Sequence, residues 1–233
     1  MIIISYIYPS KNNPSKGIFV HQQAKYLARK IRRVDVITSR DDGDRKNEII
    51  DNVNVHRVSR FSSRNFFAGL FFSIKASSKL VKLNKKIKFN LVLENFIGIN
   101  TLIFGILLRL MNKRFIVISH GTGWELPKKN PIKNIIIKVA LHFPQKIVCV
   151  SRKTKELLSG NTNKRKLIVI NNGMDQEFLI PSKHKKEFKK ELGLNKKFVL
   201  LSVANLVEKK GIDVVIRAVH NVHKKYPNIK YIV

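Results

Sequence analysis

Short apolar segments alternate with helical patterns along almost the whole chain, and this alternation constrains the fold more than any other feature. The predicted strands carry apolar residues on both of their faces, which is typical of strands buried in a parallel sheet. They span residues 2–8, 34–38, 53–58, 91–93, 115–119, 147–150, 167–170, 198–203 and 229–233. The helical patterns span residues 20–30, 65–85, 98–110, 132–141, 153–158, 186–192 and 212–225. We therefore predict an α/β protein with doubly wound parallel sheets covered by helices on both faces.

The pattern changes near residues 171–186, where we expect the boundary between two domains. An apolar strand gives way there to a polar connection that contains Gly173 and Pro181. Residues 1–175 are enough for one complete Rossmann-like domain, whereas residues 176–233 hold a single βαβ unit of a second. Asn172 and Gly173 are therefore candidates for a cleft or hinge position.

The charge of the chain is extreme and is spread along its length. The sequence contains 46 Lys or Arg against 15 Asp or Glu, a formal net charge of +31 at pH 7, and no acid between Asp51 and Glu94. Such a surface attracts polyanions, either an anionic membrane or nucleic acid. Nucleic acid is the weaker alternative, because the phenylalanines of this stretch fit a helix core better than a stacking platform, and no nucleic-acid-binding motif occurs.

The helix predicted at residues 65–85 combines an apolar face with a basic one. The apolar face consists of Phe67, Leu70, Phe71, Ile74, Ser78 and Val81, and the basic face of Lys75, Lys79, Lys82 and Lys86. Two interpretations are open. Either the helix packs its apolar face on the core and its lysines are simply solvated, or the lysines face an anionic membrane surface.

The single cysteine, Cys149, lies in an apolar run and is predicted to be buried and unreactive. Because no disulfide can form within the chain, we expect a reducing, cytoplasmic compartment. The apolar stretch at residues 96–108 is shorter than the roughly 20 residues that a membrane-spanning helix needs. The histidines and acids show no metal-ligand spacing, so we expect no metal and no other cofactor.

Parallel sheets of this kind bind ligands at the carboxyl ends of their strands, so the loops that follow the strands are the candidate site. Gly17 follows the first strand and either lets the backbone approach a ligand or permits a turn. His120 follows the strand at 115–119 and lies in a glycine-rich loop, where we favour a functional role. Glu94 and Asn95 lie at the same edge, with helix capping an equally good interpretation.

Residues 200–218, LLSVANLVEKKGIDVVIRA, predict a strand, a polar loop and a helix that begins at Gly211. A helix N-terminus presents unpaired backbone N–H groups and the positive end of the helix dipole, and Lys210 lies beside it. This arrangement suits a diphosphate group. A solvated loop charge is an equally good interpretation of Lys210.

Taken together, several segments resemble glycosyltransferase family 4, whose members are retaining enzymes with two facing Rossmann domains, the GT-B architecture. The order and spacing of the segments make the match specific, and they cover nearly the entire chain. The segments are PSKGIFVHQQAKYLAR, VISHGTGWE, VCVSRKTKELL, VINNGMDQEF and LLSVANLVEKKGIDVVIRAV. The resemblance implies a nucleotide-sugar donor as substrate.

The resemblance also implies roles for single residues. His120 would lie at the reacting sugar, the loop of Gly17 would border the donor diphosphate and the acceptor, and Lys210 with Gly211 would bind the diphosphate. Family members often carry a basic residue where this chain has Asn205, so one phosphate partner is replaced. They also carry, further along the second domain, a glutamate pair that grips the donor, and the present sequence ends before it.

Our hypothesis is a glycosyltransferase that transfers a sugar with retention to a glycan or lipid-linked acceptor, in cell-surface polysaccharide or glycolipid synthesis. We expect it on the inner face of the cell membrane, and we expect a truncated second domain and no turnover by this chain alone. The alternatives are a non-catalytic basic binding protein and a pseudoenzyme subunit that pairs with a second subunit to complete the fold.

Overall fold

The computed structural model of the protein describes residues 1–60, 66–121, 131–173 and 184–233. The chain forms two compact units, Met1–Asn172 and Gly173–Val233. The strands of the first unit are β1 (Ile2–Ile4), β2 (Asp35–Thr38), β3 (Asn47–Ile50), β4 (Val53–Arg57), β5 (Leu91–Asn95), β6 (Arg114–Ser119), β7 (Lys146–Cys149) and β8 (Leu167–Val169). Its helices are α1 (Ile18–Ala28), α2 (Phe66–Ile87), α3 (Ile99–Leu110), α4 (Pro131–Ala140) and α5 (Arg152–Ser159).

The strands of the first unit form one sheet in the order β3-β4-β2-β1-β5-β6-β7-β8. All neighbouring pairs are parallel except β3 and β4. The chain starts in the middle of the sheet at β1, extends it in one direction through β2 and then in the other through β5 to β8. This is the predicted doubly wound α/β architecture, in which the loops that follow the parallel strands meet at one edge.

Two apolar layers cover the two faces of this sheet. Ile3 of β1 packs with Val20 and Ala24 of α1 on one face. Ile2 and Ile4, which point to the other face because side chains alternate along a strand, pack with residues of α2 and α3. A separate cluster joins α4 and α5 to β7 and β8. Each predicted apolar segment of the first unit is therefore covered because helices flank the sheet on both sides.

Strand β3 was not predicted from the sequence. It pairs antiparallel to β4 at the edge of the sheet, and a two-residue turn, Asp51-Asn52, connects the two strands. Both turn residues have positive φ, 47° and 62°, as a hairpin turn of the type I′ family requires. Asn and Asp tolerate this conformation better than other non-glycine residues. Two of the four residues in the β3 sequence, NEII, are polar, so the apolar pattern did not predict this strand. It lies at the edge of the sheet and faces water.

Helix α2 contradicts one of the two interpretations of its amphipathic pattern, the one in which this apolar face packs on the core. The face expected to pack on the core is the outer one, since Phe67, Phe71, Ile74 and Val81 are exposed to 76%, 52%, 54% and 37%. The buried face is a second apolar set on the opposite side of the helix. Its members are Phe72, Ala76, Leu80 and Leu83. The helix is therefore apolar on two opposite sides, and the periodicity alone does not tell which one is buried.

The second unit contains helix α6 (His184–Glu191), strand β9 (Phe198–Leu201), helix α7 (Ile212–His223) and strand β10 (Ile229–Ile232). Strands β9 and β10 are parallel neighbours, with Val199 opposite Lys230. This is the βαβ unit expected from the sequence. Helix α7 returns the chain from the end of β9 to the start of β10, as a parallel connection requires.

No helix among the described residues is both long enough and apolar enough to traverse a lipid bilayer.

Candidate active site at the carboxyl ends of the strands

His120 directly follows β6 and is held by Asn95, the last residue of β5. The His120 Nε2 atom lies 2.8 Å from Asn95 Oδ1. An amide oxygen only accepts hydrogen bonds, so the imidazole donates from Nε2, and Nδ1 of the neutral ring carries a lone pair. Asn95 in turn donates from Nδ2 to Gln23 Oε1 of α1, at 3.4 Å. A chain of three side chains therefore fixes the orientation of the imidazole.

The imidazole of His120 is neutral at physiological pH. Burial lowers its pKa from 6.5 to about 4, because the charged form loses hydration at this half-buried position. His120 thus offers a hydrogen-bond acceptor and no positive charge. Such a group can bind a hydroxyl of a sugar, and it does not balance the charge of a phosphate.

Aromatic rings surround His120. The ring centroids of Phe19 and Phe96 lie 4.7 and 4.9 Å from the imidazole, and Tyr6 lies 4.6 Å from Phe96. Phe96 has a φ of 76°, a left-handed conformation that an aromatic residue adopts rarely and at a cost in free energy. Sequence reasoning missed these rings because phenylalanine in an apolar stretch predicts core. Their position directly after strands β1 and β5, and at the start of α1, was the available signal.

The turn that contains Gly17 requires glycine for a structural reason. Gly17 has a φ of 66°, and a Cβ atom there would lie 2.8 Å from the carbonyl carbon of Ile7. Of the two interpretations offered by the sequence, the tight turn accounts for the glycine by itself. A role of this loop at a ligand remains a prediction.

Glu94 lies under the site and not in it. Its side chain is fully buried, and burial raises its pKa well above the usual value, while the hydrogen bond with Thr101 opposes that shift. Thr101 belongs to the first turn of α3, where its hydroxyl also accepts from the backbone N–H of Gly98. Glu94 therefore supports the residue that caps α3 and makes no capping bond of its own, whereas Asn95 hydrogen-bonds to His120.

A depression lies at the same edge of the first unit, after β7 and β8. It has a volume of about 730 Å³ and is lined by Val150, Ser151, Arg152, Val169 and Asn171. Ser151 caps α5 by accepting from the backbone N–H of Thr154. Asn172, the last residue of the first unit, and Gly173, the first of the second, follow directly. The sequence predicts Asn172 and Gly173 as cleft or hinge residues, but it does not identify Arg152.

The remaining predicted residues, Asn205, Lys210 and Gly211, lie in the segment between β9 and α7. Gly211 begins the helix with φ 63° and ψ 26°, nearly the same conformation as Gly17 at the start of α1, with φ 66° and ψ 27°. Lys210 directly precedes Gly211 and is exposed, as is Asn205. Asp213 in the first turn is paired with Arg217 at 2.6 Å. The strand, loop and helix start thus follow one another as predicted, and anion binding by Asn205, Lys210 and Gly211 stays a prediction.

The four predicted membrane-facing lysines do not share one environment. Lys75, Lys82 and Lys86 are exposed. Lys79 is half-buried, and its Nζ donates to Asn47 Oδ1 at 3.2 Å. Burial lowers the pKa of Lys79, and the neighbouring Lys86 and Lys82 lower it further. The part of the basic face that is open to a partner therefore consists of three of these four side chains.

The doubly wound α/β fold is that of the GT-B class, as comparisons with known proteins show. Residues 17–178 match the model of Glycosyltransferase Family 4. The match covers more than half of the chain, so the protein belongs to glycosyltransferase family 4. A search of curated proteins found no match to the sequence.

Solved structures of glycosyltransferases share the fold at low sequence identity. Sucrose-phosphate synthase from Thermosynechococcus elongatus has a TM-score of 0.72 and 14% identity over 99% of this chain and 69% of that chain. HepE from Anabaena in complex with UDP and glucose has a TM-score of 0.68 and 13% identity over 99% of this chain and 59% of that chain. The trehalose-6-phosphate synthase of E. coli bound with UDP-2-fluoro glucose has a TM-score of 0.64 and 13% identity over 99% of this chain and 63% of that chain.

Proposed function

We propose that the protein is a sugar transferase that uses a nucleotide-sugar donor and transfers the sugar, with retention, to a hydroxyl of a glycan or lipid-linked acceptor. The observation that carries the proposal is the oriented, neutral His120 at the strand edge of a family 4 chain. Its neighbours in structure include complexes with UDP, glucose and UDP-2-fluoro glucose. The transfer would serve cell-surface polysaccharide or glycolipid synthesis.

The proposal gives the groups of each unit a separate task. The Nδ1 atom of His120 accepts a hydrogen bond from a sugar hydroxyl, and the rings of Phe19 and Phe96 form apolar walls beside it. Lys210 and the N–H groups at the start of α7 bind the diphosphate, so that its negative charge is balanced as it leaves. Retention requires the acceptor hydroxyl to attack on the face from which the diphosphate departs, so catalysis rests on positioning and electrostatics.

The proposal needs no metal, since Lys210 and backbone N–H groups supply the positive charge that a departing diphosphate requires. It places the reaction at the cytoplasmic face of the cell membrane, in keeping with the buried, unpaired Cys149. A second subunit that supplies further donor contacts is compatible with the proposal and is not required by it.

The products formed from a panel of sugar nucleotides test the reaction directly. Any product, or free sugar from slow hydrolysis, that proton NMR detects should keep the anomeric configuration of the donor sugar. A product of inverted configuration would contradict retention. Failure of every sugar nucleotide in the panel to bind the protein, measured by saturation-transfer NMR, would contradict the donor class.

A further inference from the structure

Helix α2 exposes an apolar stripe that has no place in the proposed transfer reaction. Phe67, Phe71, Ile74 and Val81 are spaced four, three and seven residues apart and therefore lie on one side of the helix. The stripe extends about 21 Å along the helix axis, at about 1.5 Å per residue. The core side of α2 already carries its own apolar set, so the stripe is not needed to hold the helix on the sheet.

The charges of α2 border this stripe on one side. Lys75, Lys82 and Lys86 are exposed and lie along one flank, and Lys85 follows the stripe at its end. The ammonium of Lys75 lies 5.2 Å from the centre of the Phe71 ring. The helix contains no acidic residue. We call the stripe residues together with these four lysines the outer face of α2.

We propose that the outer face of α2 docks on an anionic lipid bilayer, with the stripe at the level of the lipid headgroups and the lysines bound to anionic lipids. An apolar stripe beside a row of lysines is the pattern of helices that lie in a membrane interface. Lysines close to the surface bind anionic lipids through long-range attraction. The inference deepens the proposed function, because it names the surface that would bring a lipid-linked acceptor to the enzyme, and for that purpose it rests on the proposed function.

A bilayer fits this surface better than nucleic acid does. Proteins that bind single-stranded nucleic acid combine cations along a groove with flat rings on which bases stack. Ile74 and Val81 offer aliphatic groups where stacking would need rings, and the lysines occupy only one flank. Bilayer insertion uses aromatic and aliphatic groups alike, since it depends on the apolar area that leaves water.

Vesicle sedimentation with the complete 233-residue protein tests the proposal. The probes are vesicles of phosphatidylcholine with and without phosphatidylglycerol. We expect binding to the anionic vesicles only, and weaker binding as salt increases. The double variant Phe71→Ser, Ile74→Ser should bind about tenfold more weakly, because two half-exposed side chains no longer transfer apolar area to the lipid. The variant Lys75→Glu, Lys82→Glu should lose most of the dependence on phosphatidylglycerol.

Matched control variants lie on the opposite side of the sheet. Tyr26→Ser removes an exposed ring from α1, and Lys30→Glu with Arg32→Glu changes the net charge by the same amount as the lysine variant. Both controls should bind anionic vesicles like the unchanged protein. Because all substituted side chains are exposed, circular dichroism and the melting temperature should stay unchanged, which separates docking from folding.

Three results would overturn the proposal. These are equal binding to neutral and anionic vesicles, an equal loss of binding in the control variants, or binding to DNA at the same salt concentration without binding to vesicles. Binding of sugar nucleotides reports separately on the proposed function. Vesicle binding without any nucleotide binding would contradict the proposed function and leave the docking surface standing.

Discussion

At the scale of single residues, the Asn95–His120 pair gives the site its chemical character. Asn95 and burial have separate effects: the amide fixes the proton of the neutral ring on Nε2, and desolvation keeps the ring uncharged. The sequence indicated His120 through its place after a strand, but nothing in the sequence paired it with Asn95. Strand order determines that pair, because β5 and β6 are neighbours in the sheet.

Asn95→Asp should reverse the electrostatics of His120. A carboxylate at this position would stabilise the imidazolium, so the pKa of His120 should rise from about 4 toward or above its usual value of 6.5. Proton–nitrogen NMR should show the Nε2–H tautomer in the unchanged protein across neutral pH. Asn90→Asp, at the exposed start of β5, is the control and should not move the titration. An unchanged pKa in Asn95→Asp would contradict the role of Asn95.

Gly17 and Gly43 separate two causes of a glycine requirement. Both have positive φ, 66° and 79°, but a Cβ at Gly17 would lie 2.8 Å from backbone atoms, whereas at Gly43 it would lie 3.3 Å from the side-chain end of Asn12. Gly43→Ala should cost about 1 kcal/mol, the conformational term. Gly17→Ala should cost about 2 kcal/mol or more, because the loop must also move. Urea unfolding measures both, and equal losses would contradict the role of close packing.

At the scale of secondary structure, periodicity predicted every α-helix and every strand except β3 among the described residues. The predicted first strand, residues 2–8, was too long. Strand β1 ends at Ile4; the Ser5 N–H still donates to the Ile37 carbonyl of β2, and the Ser5 hydroxyl then donates to the Ile7 carbonyl in a local turn. The buried side of α2 could not be read from its pattern, since two apolar faces satisfy the same periodicity. Tertiary packing made that choice, with Phe72 and Ala76 against the sheet.

The link between β2 and β4 should make stability depend on acid pH. Asp35 of β2 is buried, and Arg33 and His56 each hydrogen-bond to it at 2.8 Å. Burial alone would raise the pKa of Asp35, but the hydrogen bonds from His56 and Arg33 outweigh burial and lower it. The stability this carboxylate contributes is therefore present above its unfolded pKa of about 4 and is lost as the pH falls through the lower folded value.

Asp35→Asn should cost about 3 kcal/mol near neutral pH, because Arg33 and His56 lose their charged partner. The loss should shrink as the pH falls below about 4, where the unfolded chain takes up the proton first, and shrink further as the pH passes through the lower folded pKa. Urea unfolding across the acid range measures this. A loss that stays constant with pH would show that packing, and not charge, explains the effect. Exposed Asp213→Asn is the control and should change stability little.

At the scale of the whole molecule, the chain consists of two compact units that share one structural feature. In each unit a glycine with the same left-handed conformation starts the helix that follows the first strand. The sequence predicted both positions and the family. It did not predict the aromatic surroundings of His120, the depression beside Arg152 or the exposed stripe of α2, since these depend on which elements become neighbours in space.

Calorimetric titration of a sugar nucleotide into the protein tests the central claim most directly. If His120 and Lys210 both serve the donor, Lys210→Ala should weaken binding about tenfold to a hundredfold through loss of a charge-assisted hydrogen bond. His120→Ala should weaken binding of the sugar nucleotide but not of the free nucleotide, and Lys224→Ala should change neither. Binding that is indifferent to both His120 and Lys210, with the fold intact, would contradict the account.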